Sequence, residues 1–184
     1  MKHYIVLGGL GAVIAYPFIG VSIMLSPWFN PYENALSDLG NIALNGLTAY
    51  IFNLGLILSG FLIALFALFV SLKYYSWRYL CWTILLLAAG IDLTLIGFFP
   101  EDTGVIHGLV SVIFFILIIL VMLIYGCCSW RTNLPLTSII AIIFGLVSVM
   151  VWIMKWPWRG VAIQEAVTSI MTSIWLLMVL TRKL

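Results

Sequence analysis

The sequence predicts an all-α fold, a polytopic membrane bundle of six transmembrane helices with both termini cytoplasmic. Three observations predict it. Hydrophobic residues make up 65% of the 184-residue chain and charged residues 8%, with a mean hydropathy of +1.24, far above the range of globular proteins. Apolar runs of about twenty residues, the length needed to cross the hydrocarbon core as a helix, occur six times. The charges are also segregated. All six carboxylates, Glu33, Asp38, Asp92, Glu101, Asp102 and Glu165, fall at or near one set of span ends, whereas six of the eight Lys and Arg residues fall at the other.

The spans are read at residues 4–25, 47–72, 79–99, 105–127, 136–154 and 160–180. None shows the polar/apolar alternation of a membrane barrel, so strands are not expected. The first run has a basic start, but its apolar stretch exceeds a signal-peptide core and Pro17 interrupts it without a small-residue cleavage site. It is read as a retained helix. Together the spans consume nearly the whole chain, so residues 1–184 are taken as one transmembrane domain with no soluble partner domain.

Lys2, Lys73, Arg78, Arg131, Arg182 and Lys183 share one side. Basic residues of short loops stay in the cytoplasm, which places both termini there and the acids outside, accompanied only by Lys155 and Arg159. The expected location is the cell membrane, with a polar pocket facing the exterior. A net charge of +2 without a dense basic stripe excludes nucleic acid as a partner. Cys81, Cys127 and Cys128 fall at the cytoplasmic end, where thiols stay reduced.

The longest external connection, residues 26–46, begins with Ser26-Pro27-Trp28-Phe29-Asn30-Pro31-Tyr32, turn and headgroup-layer material. Its second part is more informative. Were residues 34–46 helical, Asp38, Asn41, Asn45 and Thr48 would lie on one face, with Asn53 continuing the stripe into the second span. Ser37 caps that helix or serves as a nucleophile. Polar groups in such a row must face protein or water, because lipid offers no hydrogen-bond partner.

Asp92, roughly two turns inside the third span, is the most costly single residue, at about 2.5–3.5 kcal/mol on insertion scales. Gly90 beside it suits close helix packing. Asp102 or Thr103 is positioned to cap the fourth span, following Glu101. His107, on the first turns of that span with Ser111 one turn below, is read either as an imidazole held by a carboxylate or as a general acid or base. Lys155 and Arg159, set among Trp156 and Trp158, anchor helix ends or clamp an anion. Gln164 and Glu165 then open the sixth span, where Glu165, Thr168 and Thr172 share a face.

Ser37-Asp38-Leu39-Gly40, Phe52-Asn53-Leu54-Gly55 with Gly60, Gly97-Phe98-Phe99-Pro100-Glu101 with His107, and Gly160 followed by Glu165 together resemble the domain-of-unknown-function 998 family. These are small six-helix membrane proteins of archaea and bacteria. The resemblance covers nearly the whole chain and implies a six-helix fold, without an activity. Family members often carry an Arg after the last glutamate; Ala166 stands there in this chain, which removes that ion pair.

The candidate catalytic residues are therefore Asp38, Asp92, His107 and Glu165, with Ser37 as nucleophile. The candidate ligand-binding residues are Asn41, Asn45, Asn53, Glu101, Arg159 and Gln164. A zinc site built from His107 and the carboxylates would be unusually rich in oxygen ligands, and none is assigned. No cofactor is expected, since P-loop, dinucleotide and haem signatures are absent. Three function classes stay open: an enzyme modifying or hydrolysing a lipid at the outer leaflet, a protein binding or transporting a small cation or ligand, and an accessory membrane subunit. Below Asn53 and Asp92 the spans are almost wholly apolar, which suits a blind pocket better than a pore. The expected partners are membrane lipids and a lipid-like or small polar ligand on the external side.

Overall fold

A computed structural model describes residues 3–130 and 135–181. It is all-helical among these residues, with six helical segments long and apolar enough to cross a membrane. The chain is a multi-pass membrane protein. The first span is α1 (His3–Val13) followed by α2 (Ala15–Met24); then come α4 (Ala49–Lys73), α5 (Trp77–Phe98), α6 (Val105–Ser129), α7 (Pro135–Ile153) and α8 (Ala162–Thr181). A short α3 (Ile42–Asn45) lies in the first connection. Observed ends fall within two residues of those expected from hydropathy, because bilayer thickness sets the length of each apolar run.

The first span is broken at Ile14. Pro17 has no N–H to give the Val13 carbonyl, and its ring crowds that carbonyl, so the helical ladder is interrupted one turn before it, although Ile14 keeps helical dihedrals (φ −66°, ψ −28°). The spans then close a ring in chain order: α1 packs on α4, α4 on α5, α5 on α6, α6 on α7, α7 on α8, and α8 returns to α1. Contact between α6 and α8 leaves α7 on the outside.

The tightest seam is α4 against α5. A Cβ on Gly60 would lie 2.5 Å from the Gly90 carbonyl oxygen, and one on Gly97 would lie 2.6 Å from that of Asn53. Backbones therefore approach as they do wherever small residues drive membrane helices together. Ser71 adds a hydroxyl bond to Thr83 at 2.7 Å across the same seam, and Ser59 of α4 donates to the Gly11 carbonyl of α1 at 2.6 Å. Toward the end carrying Lys73 and Arg78, the rings of Trp82, Tyr125 and Trp175 form a triangle with centroids 5.2–6.0 Å apart, all edge-on. A second apolar cluster, including Phe52, Leu93 and Phe114, lies nearer the acidic end.

Lys73 and Arg78 flank the α4–α5 connection, opposite the acids. Lys2, Arg131, Arg182 and Lys183, on which the expected orientation also depends, lie outside the described residues.

Candidate functional site at the acidic end of the ring

The connection from α2 to α4 folds over the acidic end of the ring. It is not one continuous helix. A 3-10 helix (Leu36–Gly40) leads to α3, followed by a second 3-10 turn (Gly46–Thr48). Asn41 breaks the first from α3 because it is extended, with φ −70° and ψ 111°, and its Oδ1 accepts the Leu44 N–H at 2.9 Å as an N-cap. The expected stripe of Asp38, Asn41, Asn45 and Thr48 therefore does not form. Short polar side chains bond to nearby backbone instead, the competition that keeps Asn and Asp out of helix interiors.

Those bonds rigidify the cover. Asp38 Oδ2 accepts the Ala35 N–H at 3.0 Å and the Asn34 amide at 3.1 Å. Asn45 Nδ2 donates to the Asp38 carbonyl at 2.8 Å, and Asn53, reaching up from α4, donates to the Gly40 carbonyl at 3.0 Å. Asp102 does not cap α6, whose N-cap is Gly104 with φ 62°. Its Oδ1 accepts the Ile42 N–H at 3.0 Å instead, while the Thr103 hydroxyl donates to the Pro100 carbonyl. Both residues thus close loops rather than begin a helix.

The sixth span is sewn to the same cover. The Tyr32 carbonyl accepts the N–H groups of Arg159 and Gly160 at 3.1 and 2.8 Å, and the Asn34 carbonyl accepts that of Ala162 at 3.0 Å. Gly160 is required by this approach, since a Cβ there would lie 2.5 Å from the Asn34 nitrogen. Glu165, buried, receives the Leu36 N–H on Oε2 at 2.6 Å. Trp156 stacks on Trp158, which meets Tyr32 edge-on, and the Lys155 and Arg159 side chains beside them are exposed.

Beneath the cover four expected residues converge. His107 is buried, with Nδ1 at 2.7 Å from the Phe99 carbonyl oxygen and Nε2 in ion-pair contact with Glu101 Oε2 at 2.8 Å. Both ring nitrogens face acceptors, so the pair holds a proton on each as imidazolium and carboxylate, or else one proton sits on Glu101. The Ser37 hydroxyl lies near enough to the Glu101 carboxylate to favour its charged form. The His107 bond holds the Glu101 carboxyl below its ordinary value, against the opposing effect of partial burial. Glu165 lies within electrostatic reach of Glu101, Asp38 and His107. No three His, Cys, Asp or Glu side chains among the described residues converge closely enough to hold a metal ion.

Below Ser37 and Glu165 the ring encloses a cavity of about 110 Å³ lined by α1, α2, α4, α5, α6 and α8. On α8 it runs from Glu165 to Leu176, about 16 Å at 1.5 Å per residue. Apart from Ser37 and Glu165 at its mouth, its polar lining is hydroxyl only. Two of those hydroxyls, Tyr16 of α2 and Ser173 of α8, bond to one another at 2.8 Å. Beyond this break α2 stays on α4 and no longer packs along α8 as α1 does. Tyr16, Ser169, Thr172 and Ser173 are accordingly only partly buried along this seam.

The remaining candidates stand apart. Asp92 is buried with Oδ2 lacking a hydrogen-bond partner, yet Ala89, Gly90 and Leu93 of its own helix line the cavity and Asp92 does not. Gln164 is buried with Oε1 unpartnered, and it too lies off the cavity. Thr168 faces α7, accepting the Trp152 indole N–H at 3.1 Å. The α8 face toward the cavity is instead Glu165, Ser169, Thr172, Ser173 and Leu176. Tyr16, Ser59, Ser169 and Ser173 were not singled out from the sequence; the spacing of Glu165, Ser169, Thr172, Ser173 and Leu176 by four, three, one and three is the helical signal that marks the face.

Comparison with protein-family models finds a match to proteins of unknown function (DUF998) over residues 10–182. Comparison with curated proteins and with solved structures finds no match.

Proposed function

The chain belongs to the DUF998 family, and on this six-helix membrane scaffold we propose an enzyme of the cell membrane that draws a lipid-like amphiphile from the outer leaflet and hydrolyses or transfers the group at its polar end. The single observation that carries the reading is the shape and polarity of the cavity. It is a largely apolar slot that follows α8 from Leu176 up to Glu165 and ends at Ser37 and Glu165 beside the Glu101–His107 pair. Along its depth the slot carries scattered hydroxyls but no charged or amide side chain, and apolar side chains make up most of its wall. The thinly packed seam between α2 and α8 supplies a route from the bilayer.

Each residue then has a task. Glu165, Asp38 and Glu101 against one imidazole favour a neutral or cationic head over an anionic one. Ser37 Oγ attacks the carbonyl or phosphoryl centre as its proton passes to Glu101. His107 Nε2 protonates the leaving oxygen. Water then releases the group from Ser37, giving its proton back to His107, while Glu101 returns its own to Ser37. Asn41, Asn45, Asn53 and Asp102 hold the cover that positions Ser37. Exterior orientation follows from the segregation of Lys and Arg.

A second reading, binding of an amphiphilic amine without turnover, is favoured by the excess of acids. Native mass spectrometry of the gently solubilised protein separates the two. The expected result is a discrete lipid-mass adduct in wild type that is absent from folded Ser169→Phe, whose ring would fill the slot. Identical spectra for both proteins would overturn the slot as the binding site. An adduct with no hydrolysed or transferred product would leave binding alone.

A further inference from the structure

The slot has a built floor, and we propose that Leu86 and Leu176 on that floor measure the length of the chain it accepts, making them the specificity-determining residues for a single-chain amphiphile. The inference rests on the lipid-slot reading above. On five elements the lining residue farthest from the acidic end is Ala12, Ile63, Leu86, Ile118 or Leu176, each about twelve to fourteen residues in from that end of its span. Leu86 and Leu176 are each only 1% exposed. They belong to the same packed cluster as Trp82, Tyr125 and Trp175, whose three rings brace one another edge to face. Interlocked aromatic rings in a close-packed interior do not step aside for an extra methylene.

Selection arises from the fixed mouth as well as the floor. The cover is bonded to α8 through Glu165 and Leu36 at 2.6 Å and to α4 through Asn53 and Gly40 at 3.0 Å. Mouth and floor are therefore a set distance apart. Lipid tails outside are as apolar as the slot, so each methylene gains little by entering. A chain that fits leaves its head at Ser37 and Glu165, whereas a longer one lifts the head away from them. Occupancy should then be nearly flat up to a cutoff length and fall sharply beyond it.

The test uses saturated single-chain amines of graded length, offered together to the full chain in one detergent and resolved by mass. Wild type should show a cutoff beyond which occupancy drops about tenfold, the effect of one lost head interaction. Leu176→Ala should move that cutoff longer by about three methylenes, the number of carbons the substitution removes. Ala12→Leu, which builds into the floor from α1, should move it shorter. A cutoff that stays put in a folded variant, or occupancy without a cutoff in wild type, overturns the ruler while leaving the slot as a binding site. No bound amine of any length in wild type overturns the slot reading and the ruler with it.

Discussion

The carboxylate of Glu165, on the first turn of the last span, accepts the backbone N–H of Leu36 at 2.6 Å across 129 residues of sequence. Together with the bonds from Gly160 and Ala162 to Tyr32 and Asn34, it fixes the cover at one height above the ring. The residue that lines the mouth of the slot is thus the one that holds the lid over it.

That dual role separates two substitutions. Glu165→Ala strands a partly buried N–H and should lower stability by about 1–3 kcal/mol, besides loosening the cover. Glu165→Gln keeps an acceptor and should stay within about 1 kcal/mol of wild type. Thermal unfolding in one detergent reads both; equal melting of the two variants would show that the Leu36 bond holds nothing together.

Glu101 gives the molecule a pH dependence. The His107 bond holds its carboxyl below the ordinary 4.5, so as pH falls the unfolded chain takes up this proton first. The stabilisation is complete above the ordinary value and is lost as pH drops through the lower folded one. Melting temperature should fall more steeply between about pH 5 and pH 3 in wild type than in Glu101→Gln. Parallel profiles would show that the His107 contact does not bias the proton.

How much of this was legible beforehand follows from what each feature depends on. The spans were legible because hydrocarbon thickness dictates an apolar run, and a run is local. That Gly90 suits close packing was legible for the same reason, since a small residue in a span has few other uses, but its partner Gly60 was not. The cover was not: Asn41 and Asn45 fit a helical stripe equally well on paper, and only the cross-links from Asp102 and Asn53 decide otherwise. Asp92 was rightly marked as costly, but whether it lines the cavity depends on the rotation of α5, which Gly90 and Gly97 set by packing on α4. The same ambiguity moved the polar face of α8 from Thr168 to Ser169, about 100° around the helix. The Tyr16–Ser173 bond joins residues 157 apart, and no local pattern announces it.

His107 carries the catalytic part of the proposal. His107→Ala should retain the lipid adduct, because the slot is untouched, and should lower turnover about a hundredfold or more, the usual worth of a positioned acid or base. Product release measured on the protein's own co-purified lipid reads this directly. Unchanged turnover in a folded variant would remove His107 from the chemistry.

The α4–α5 seam makes a sharper claim about stability. A Cβ on Gly60 would meet both the Gly90 carbonyl oxygen and the Thr94 nitrogen at 2.5 Å. Backbone on both sides cannot retreat without parting the helices, so Gly60→Ala should cost about 1–3 kcal/mol, the range for overpacking. Gly20 of α2 is the matched control, because a Cβ there meets nothing within 4 Å. Gly20→Ala should be neutral, or stabilising by up to about 1 kcal/mol through helix propensity alone. Unfolding midpoints of the two variants in the same detergent compare them directly. If Gly60→Ala melts with wild type, close backbone approach does not hold this seam, and the burden shifts to the Ser71–Thr83 hydroxyl bond at 2.7 Å.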